Sequence, residues 1–348
     1  MFYWVHLKNG LSREVYGVDK NRNIIFWSKY EEYRSMINDY IREVISKLSI
    51  PSNLRDASSH LILSGGKRIR PILVLSVVDL LGGETDHGLP VAIAIEFLHN
   101  FTLIHDDIMD QDMYRRGVKT THVLYGVSNA ILAGDYLYSL VFRLVSDYYK
   151  GDEARILTQL LAHASENICI GQAMDIEPEK HVTNMDDYIK MVYLKTASLI
   201  EASTASGSVV AGFPDLLDKF RELGRSIGIA FQVADDILGL VGDPFKTGKP
   251  VGNDIRNGKR TLPILYTLDK LDGDEYRFFM SVFGSGDADE ASVREAINIV
   301  ERYGGIEYAR NFMIKYSDMA LNIIDMFDES EAKNFLIHLI KYIVSRDR

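Results

Sequence analysis

From about residue 29 to the C-terminus, apolar side chains recur at steps of three and four, and few runs alternate with a period of two. Tyr33, Ile37, Ile41 and Ile45 form one stripe; Leu223, Ile227, Phe231, Ala234, Leu238 and Val241 form another. A stripe of that period is the buried face of a helix. A chain built of such stripes hides them by packing helix on helix. Helix-stopping residues fall between them: Gly65-Gly66, Gly82-Gly83, Gly117, Gly126, Gly151, Pro178, Pro214 and the turn at 242–244. The expected fold is all-α, a single large bundle of roughly ten or more helices with short loops over residues 29–348. The small-residue tract 196–212 reads as a helix that neighbours approach closely, or one that lines a cavity.

Residues 1–28 differ. They are aromatic, carry the turn signals LKNG and DKNRN, and include the strand-like run Asn23-Ile24-Ile25-Phe26-Trp27. They read as a short extra N-terminal segment, a small hairpin packed on the main body, with no chemistry of its own.

The chain carries a formal net charge of −10, which argues against a general nucleic-acid binder. Anionic substrates stay open, because clustered Lys and Arg or a divalent cation reverse the field inside a cleft. The only cysteine, Cys169, allows no intrachain disulfide and points to a reducing compartment, so a cytoplasmic location is expected. The longest candidates for a transmembrane segment, 120–134 and 202–214, are short and partly polar. The start, MFYWVHLKNG, lacks the basic and long apolar regions of a secretory signal.

Two acidic clusters sit far apart, each followed by basic residues. The first, HDDIMDQDMYRRG, holds Asp106, Asp107 and Asp110, then Arg115 and Arg116. On the helix expected over 90–112, Asp106 and Asp110 share a face one turn apart. Like charges at that spacing oppose helix formation unless a cation neutralises them. Magnesium suits such a place, because it takes oxygen ligands and bridges carboxylates to phosphates. A solvated helix end explains one such pattern equally well. A metal phosphohydrolase built on His105-Asp106 is another reading, but it calls for more histidines than His99 and His122.

The second cluster, FQVADDILGLVGD, places Gln232, Asp235 and Asp236 on one helical face, with Gly239 where a third aspartate would stand and Asp243 at the end. Acidic groups are unfavourable near a helix C-terminus, and a metal accounts for them there. Basic groups flank both clusters. Lys67, Arg68 and Arg70 lie between a Gly-Gly turn and Pro71, at the expected start of a helix that could hold a diphosphate. Lys249, Lys259 and Arg260 lie in the Gly- and Pro-rich loop after the second cluster. Lys195-Thr196 is a polar pair in the helical stretch YLKTASL.

In five segments and in their order, the chain resembles the trans-type isoprenyl (polyprenyl) diphosphate synthases: GGKRIRP, HDDIMDQDMYRRG, YLKTASL, FQVADDILGLVGD and GKPVGNDIRNGKRT. The resemblance runs from about residue 30 to the C-terminus. It implies an all-helical bundle of the isoprenoid synthase type around a deep central cavity, usually a homodimer. It implies that Lys67, Arg70 and His99, with Arg116, hold the diphosphate of isopentenyl diphosphate. Asp106 and Asp110, with Asp107 in support, are expected to ligate magnesium on the allylic diphosphate, two or three ions per site. Asp235, with Asp236 beside it, is expected to supply a further ion from the opposite wall. Arg115, Lys195, Lys249 and Lys259 are expected to hold the allylic diphosphate. Thr196 and Gln232, with Lys195, form the expected catalytic set beside the developing carbocation. Gly239 departs from members with a third aspartate, so the second cluster is expected to supply fewer ligands. Residues 1–28 match nothing in the resemblance.

Phe101 lies five residues before Asp106, about 7.5 Å along a helix axis. Core packing is the commoner fate of a helical Phe, but a ring there can also floor a cavity. With Thr102 beside it, the pair resembles archaeal-type geranylgeranyl diphosphate synthases, which implies a twenty-carbon product. The alternatives are a farnesyl or longer-chain synthase, a class I terpene cyclase, and a non-catalytic subunit of the same fold. The second Asp-Asp motif and the Lys67-Arg70 pocket weigh against the cyclase.

Overall fold

The computed structural model of the chain describes residues 20–242 and 252–345. Its helices, in chain order, are α1 (Lys20–Ser46), α2 (Ser52–Leu63), α3 (Ile69–Leu80), α4 (Thr85–Met109), α5 (Thr121–Tyr125) and α6 (Val127–Tyr148). They continue as α7 (Gly151–Ile176), α8 (Pro178–His181), α9 (Met185–Val192), α10 (Ser198–Val210), α11 (Leu217–Val241) and α12 (Asn253–Arg256). The last are α13 (Leu262–Leu268), α14 (Gly273–Val282), α15 (Glu290–Arg302), α16 (Gly305–Ile324) and α17 (Glu331–Ser345). A π-turn, Tyr193–Ala197, joins α9 to α10. Among the described residues the strands are β1 (Tyr114–Arg115) and β2 (Val118–Lys119), one antiparallel ribbon. The expected all-α bundle is what the sequence builds.

Its centre is made by α3, α4, α10 and α11. Every residue of α10 is buried, and so is the run Pro71 to Val78 of α3. The small-residue tract works by close approach: a Cβ on Gly207 would lie 2.7 Å from Val77 Cβ and 2.8 Å from the Val74 carbonyl oxygen. A separate apolar cluster joins α9, the C-terminal half of α11, and α12 to α16. The two clusters meet along α11, which carries the second acidic motif.

Three expectations change. The strand-like run Asn23 to Trp27 lies inside α1. Phe26, Tyr30, Tyr33, Ile37 and Ile41 are buried at steps of three and four, so packing along a helix overrides the β-preference of the local residues. The hairpin expected further upstream falls on residues outside those described. The helix carrying the first acidic cluster starts earlier and stops earlier than 90–112, with Pro90 in its second turn. That helix, α4, is also long and apolar enough to cross a membrane by length and composition, which the shorter candidates were not. Most of it is buried against α3 and α6, as a core helix of the bundle.

Candidate active site

The first acidic cluster ends α4. Asp106 and Asp110 sit one turn apart, Asp106 half-buried and Asp110 exposed as the C-cap. Burial raises the Asp106 carboxyl to about 6, with Lys195 pulling it down and Asp110 pushing it up. Asp107 points elsewhere. It is fully buried and accepts a hydrogen bond from Arg115 Nε at 2.5 Å, while its Oδ2 has no partner. Arg115, expected on the allylic diphosphate, is therefore engaged with Asp107 and more loosely with Asp112, at 3.8 Å.

The ribbon after α4 aims the next arginine. Its two-residue loop, Arg116-Gly117, has positive φ at both positions (53° and 77°), as a tight hairpin turn requires. Arg116 thereby reaches across to donate to the Gly65 carbonyl. A Cβ on Gly66 would lie 3.0 Å from Arg116 Nη1, so Gly66 also leaves room for it. Arg70, in the first turn of α3, donates from Nη1 to His99 Nε2 at 3.2 Å. Burial and the arginines Arg70, Arg116, Arg115 and Arg68 push His99 well below its ordinary range, so the ring is neutral and Nε2 accepts. Burial pulls Arg70 down to about 10, still charged at neutral pH, and its buried Nε has no hydrogen-bond partner. An unsatisfied cationic donor in a pocket of arginines calls for an anion.

Arg68 does not belong to that pocket. It caps α3 in the left-handed region (φ 54°) and is buried. Its Nη1 meets Glu96 at 2.6 Å, Nε donates to Asn38 at 3.0 Å, and Nη2 donates to the Ile62 carbonyl at 2.5 Å. It is a structural tie among α1, α2, α3 and α4.

The opposite wall comes from the π-turn and α11. The π-turn inserts one residue into the helical ladder and turns Lys195 and Thr196 toward different partners. Lys195 Nζ donates to Asp175 Oδ2 at 2.5 Å, and Thr196 Oγ1 donates to Gln232 Oε1 at 3.0 Å. Gln232 Nε2 in turn donates to Asp236 Oδ1 at 3.0 Å, and the Tyr188 hydroxyl donates to Asp236 Oδ2. Burial lifts Asp236 to about 7 against those two hydrogen bonds. Asp236 is thus an anchor for Gln232, while Asp235 is the more exposed of the pair. The turn fits because both neighbouring helices present glycine. A Cβ on Gly171 of α7 would lie 2.7 Å from Lys195 Cα, and one on Gly228 of α11 would lie 2.5 Å from Ala197 Cα.

Lys259 joins the two walls. Burial opposes its charge, but Asp175, Asp254, Asp110 and Asp236 outweigh burial and raise its pKa. Those carboxylates come from α7, α12, the end of α4 and α11, so both acidic clusters address one lysine. Lys249 and Asp243 lie outside the described residues. Phe101 is half-buried against Tyr138 of α6, with ring centroids 5.0 Å apart, and against His105 at 4.8 Å. Thr102 donates to the His99 carbonyl at 2.8 Å.

Four contributors carry no paired-acid signal in the sequence: Asp175, Tyr188, Asp254 and Tyr138. Asp175 has the only local hint, since it lies one turn after Gly171 on the face that the π-turn approaches. Among the described residues no three acidic or imidazole groups converge into a preformed metal cage. That suits magnesium, which keeps waters and is held by one or two carboxylates plus substrate phosphate. The half-buried Asp106, its carboxyl raised to about 6 beside Asp110, is part of a hard-oxygen pair that gains from a cation, so the residues present fit the ion.

Two carboxylate-bearing helices facing a lysine, with a separate arginine pocket, define the architecture of a prenyl diphosphate synthase. The polyprenyl synthetase family model matches residues 51–300. The chain is 40% identical over 318 residues to a short chain isoprenyl diphosphate synthase of Methanothermobacter thermautotrophicus, covering 91% of this chain and 97% of the relative. It is 40% identical over 321 residues to a geranylfarnesyl diphosphate synthase of Aeropyrum pernix, covering 89% and 99%. The crystal structure of geranylgeranyl pyrophosphate synthetase from Pyrococcus horikoshii superposes with a TM-score of 0.87 at 36% identity, covering 94% of this chain and 100% of that one. The chain belongs to the polyprenyl synthetase family, whose members transfer prenyl groups.

Proposed function

We propose that this enzyme condenses isopentenyl diphosphate with allylic diphosphates to give geranylgeranyl diphosphate. The observation that carries the reading is Lys259, which shares its field with Asp110 of one acidic cluster and Asp236 of the other. Asp106 and Asp110 would hold magnesium from one wall and Asp235 from the other, two or three ions in all. When bound, the metal neutralises the departing diphosphate and lowers the barrier to breaking its allylic C–O bond.

Lys195 and Lys259 bind the same diphosphate as fixed cations, joined by Lys249. Asp175 holds Lys195 in place. Thr196 and Gln232, hydrogen-bonded to each other, sit beside the allylic carbon, with Gln232 fixed by Asp236. Arg70, Arg116, Lys67 and neutral His99 orient isopentenyl diphosphate so that its double bond faces that carbon. The allylic C–O bond breaks to release diphosphate, the double bond of isopentenyl diphosphate attacks the resulting cation to form the C–C bond, and the proton lost from the adduct leaves with the diphosphate. Apolar surroundings keep water from the cation.

Phe101, braced by Tyr138, floors the chain at twenty carbons. A twenty-five-carbon product is the second reading, favoured by the 40% identity to a geranylfarnesyl diphosphate synthase. The exposed apolar residues Leu124, Val127, Ile131 and Leu132 around the start of α6 support a homodimer. The lone cysteine and the buried setting of α4 support action in the cytoplasm.

The test is an omission series with purified protein, magnesium, isopentenyl diphosphate and a short allylic diphosphate. Product is expected only when all three additions are present. Hydrocarbon formed without isopentenyl diphosphate would indicate a cyclase, and diphosphate release without condensation a hydrolase.

A further inference from the structure

Lys67 of the isopentenyl diphosphate pocket rests on a structure built from both ends of the chain. Its ammonium lies 5.3 Å from the centroid of the Tyr342 ring, in α17. Its carbonyl accepts a hydrogen bond from the Tyr30 hydroxyl of α1 at 2.5 Å. Tyr342 is itself held edge-on by Trp27 at 5.2 Å and by Tyr30 at 5.9 Å, with Phe26 at 6.0 Å. Phe26 stacks on Phe335, one face of α17 further down, at 5.3 Å. Both α1 and α17 lie outside the residues that the family model matches.

The arrangement acts on both the backbone and the side chain of Lys67. Lys67 is exposed and follows two glycines with positive φ (103° and 144°), which turn the chain into α3. A long lysine stem loses rotamer entropy when it binds a phosphate, and contacts already made reduce that cost. A cation over an aromatic face within about 6 Å is attracted to it. The Tyr30 hydrogen bond fixes the backbone, and the Tyr342 ring narrows where the ammonium goes.

We infer that Tyr342, seated by the α1 aromatics Trp27 and Tyr30, is a positioning residue that preorganises Lys67 for the diphosphate of isopentenyl diphosphate. The inference rests on the assignment of Lys67 made under the proposed function. It also gives the N-terminal helix a part in substrate binding.

The test is steady-state kinetics on the full chain with each substrate varied in turn. Tyr342→Leu is expected to raise the KM for isopentenyl diphosphate about two- to five-fold, with kcat and the allylic KM unchanged. Tyr342→Phe keeps the ring and is expected to restore the original value. Tyr30→Phe keeps the ring cluster, loses only the hydrogen bond to the Lys67 carbonyl, and is expected to raise the same KM, which preserves the test if the leucine variant folds poorly. The inference is overturned if neither Tyr342→Leu nor Tyr30→Phe moves that KM, if both substrates shift together, or if Tyr342→Phe behaves like Tyr342→Leu. Lys67→Ala separates the two levels: an unchanged KM for isopentenyl diphosphate there overturns the assignment of Lys67 itself.

Discussion

Gly239 and Asp254 share one space. A Cβ on Gly239 would lie 3.2 Å from the Asp254 carboxyl carbon and closer still to its Oδ2. The backbone closes the same contact, with Gly252 N–H donating to the Gly239 carbonyl at 3.1 Å. Where the resemblance leads one to expect a third aspartate, α11 leaves a gap that α12 fills with a carboxylate. The second cluster is therefore short of an aspartate in sequence but not of a negative charge in space.

Adding the aspartate should not add a ligand. Gly239→Asp is expected to lower the melting temperature and to leave magnesium binding no tighter, because the new side chain displaces Asp254. Asp254→Asn is expected to weaken magnesium binding about 10–100-fold, the range for supporting groups around a metal. Calorimetry with inorganic diphosphate present reads both. Tighter binding in Gly239→Asp would count against the exchange of roles.

Proton release should accompany metal binding. Asp106 sits at about 6 and Asp236 at about 7 in the metal-free protein, both raised by burial above the ordinary 3.8. A carboxyl raised on folding stabilises the protein below its unfolded pKa, and that contribution is lost as pH rises through 6 to 7. Magnesium needs the ionised form of Asp106, so its affinity is expected to fall as pH drops below about 6. Titrations in buffers of different ionisation enthalpy measure the protons released. No release at pH 5.5 would remove Asp106 from the metal.

The π-turn should be intolerant of a single methyl group. Gly171→Ala places a Cβ 2.7 Å from Lys195 Cα, and the backbone there has to move. A misplacement of about 1 Å costs on the order of 100-fold in rate. The expected result is a loss of about that size in kcat, with the helical circular dichroism retained. Full activity in this variant would show that the turn is not held by α7.

Glu96 should matter for stability, and its charge also supports the charged forms of Arg70 and Arg116. It pairs with Arg68 at 2.6 Å with both side chains buried, far from the acidic clusters. Removing one partner strands a buried charge, at a cost of about 3–5 kcal/mol. Glu96→Ala is expected to lose that much in urea denaturation, and a loss below 1 kcal/mol would contradict the pairing.

How much of this was legible varies with how local the cause is. Helical period and Gly/Pro breaks gave the all-α bundle, because each signal lies within a few turns of chain. The two Asp-Asp motifs and the Lys195-Thr196 pair were visible for the same reason. Asn23 to Trp27 misled, since its aromatic residues Phe26 and Trp27 pack against α17, about three hundred residues away in sequence, while Ile24 and Ile25 stay exposed on the helix. Asp175 and Asp254 were invisible because each is a lone carboxylate whose partners come from other helices. The π-turn leaves no mark in composition, and only the glycines opposite it betray it. Arg68 looked like its neighbours Lys67 and Arg70, and only its left-handed backbone turned it inward.

Phe101 and Tyr138 should set product length together. Phe101→Ser is expected to shift product beyond that of the native enzyme, and Tyr138→Ala to shift it less, since it removes only the brace. An unchanged product in both variants would place the floor elsewhere.

The most direct test is the chain length of the product made by the native enzyme from isopentenyl diphosphate and farnesyl diphosphate with magnesium, read by chromatography after dephosphorylation. The expected result is a single main alcohol of twenty carbons, absent when the metal is chelated. A main product of another length would contradict the Phe101 floor, and undiminished condensation without divalent metal would contradict the clamp formed by the two acidic helices.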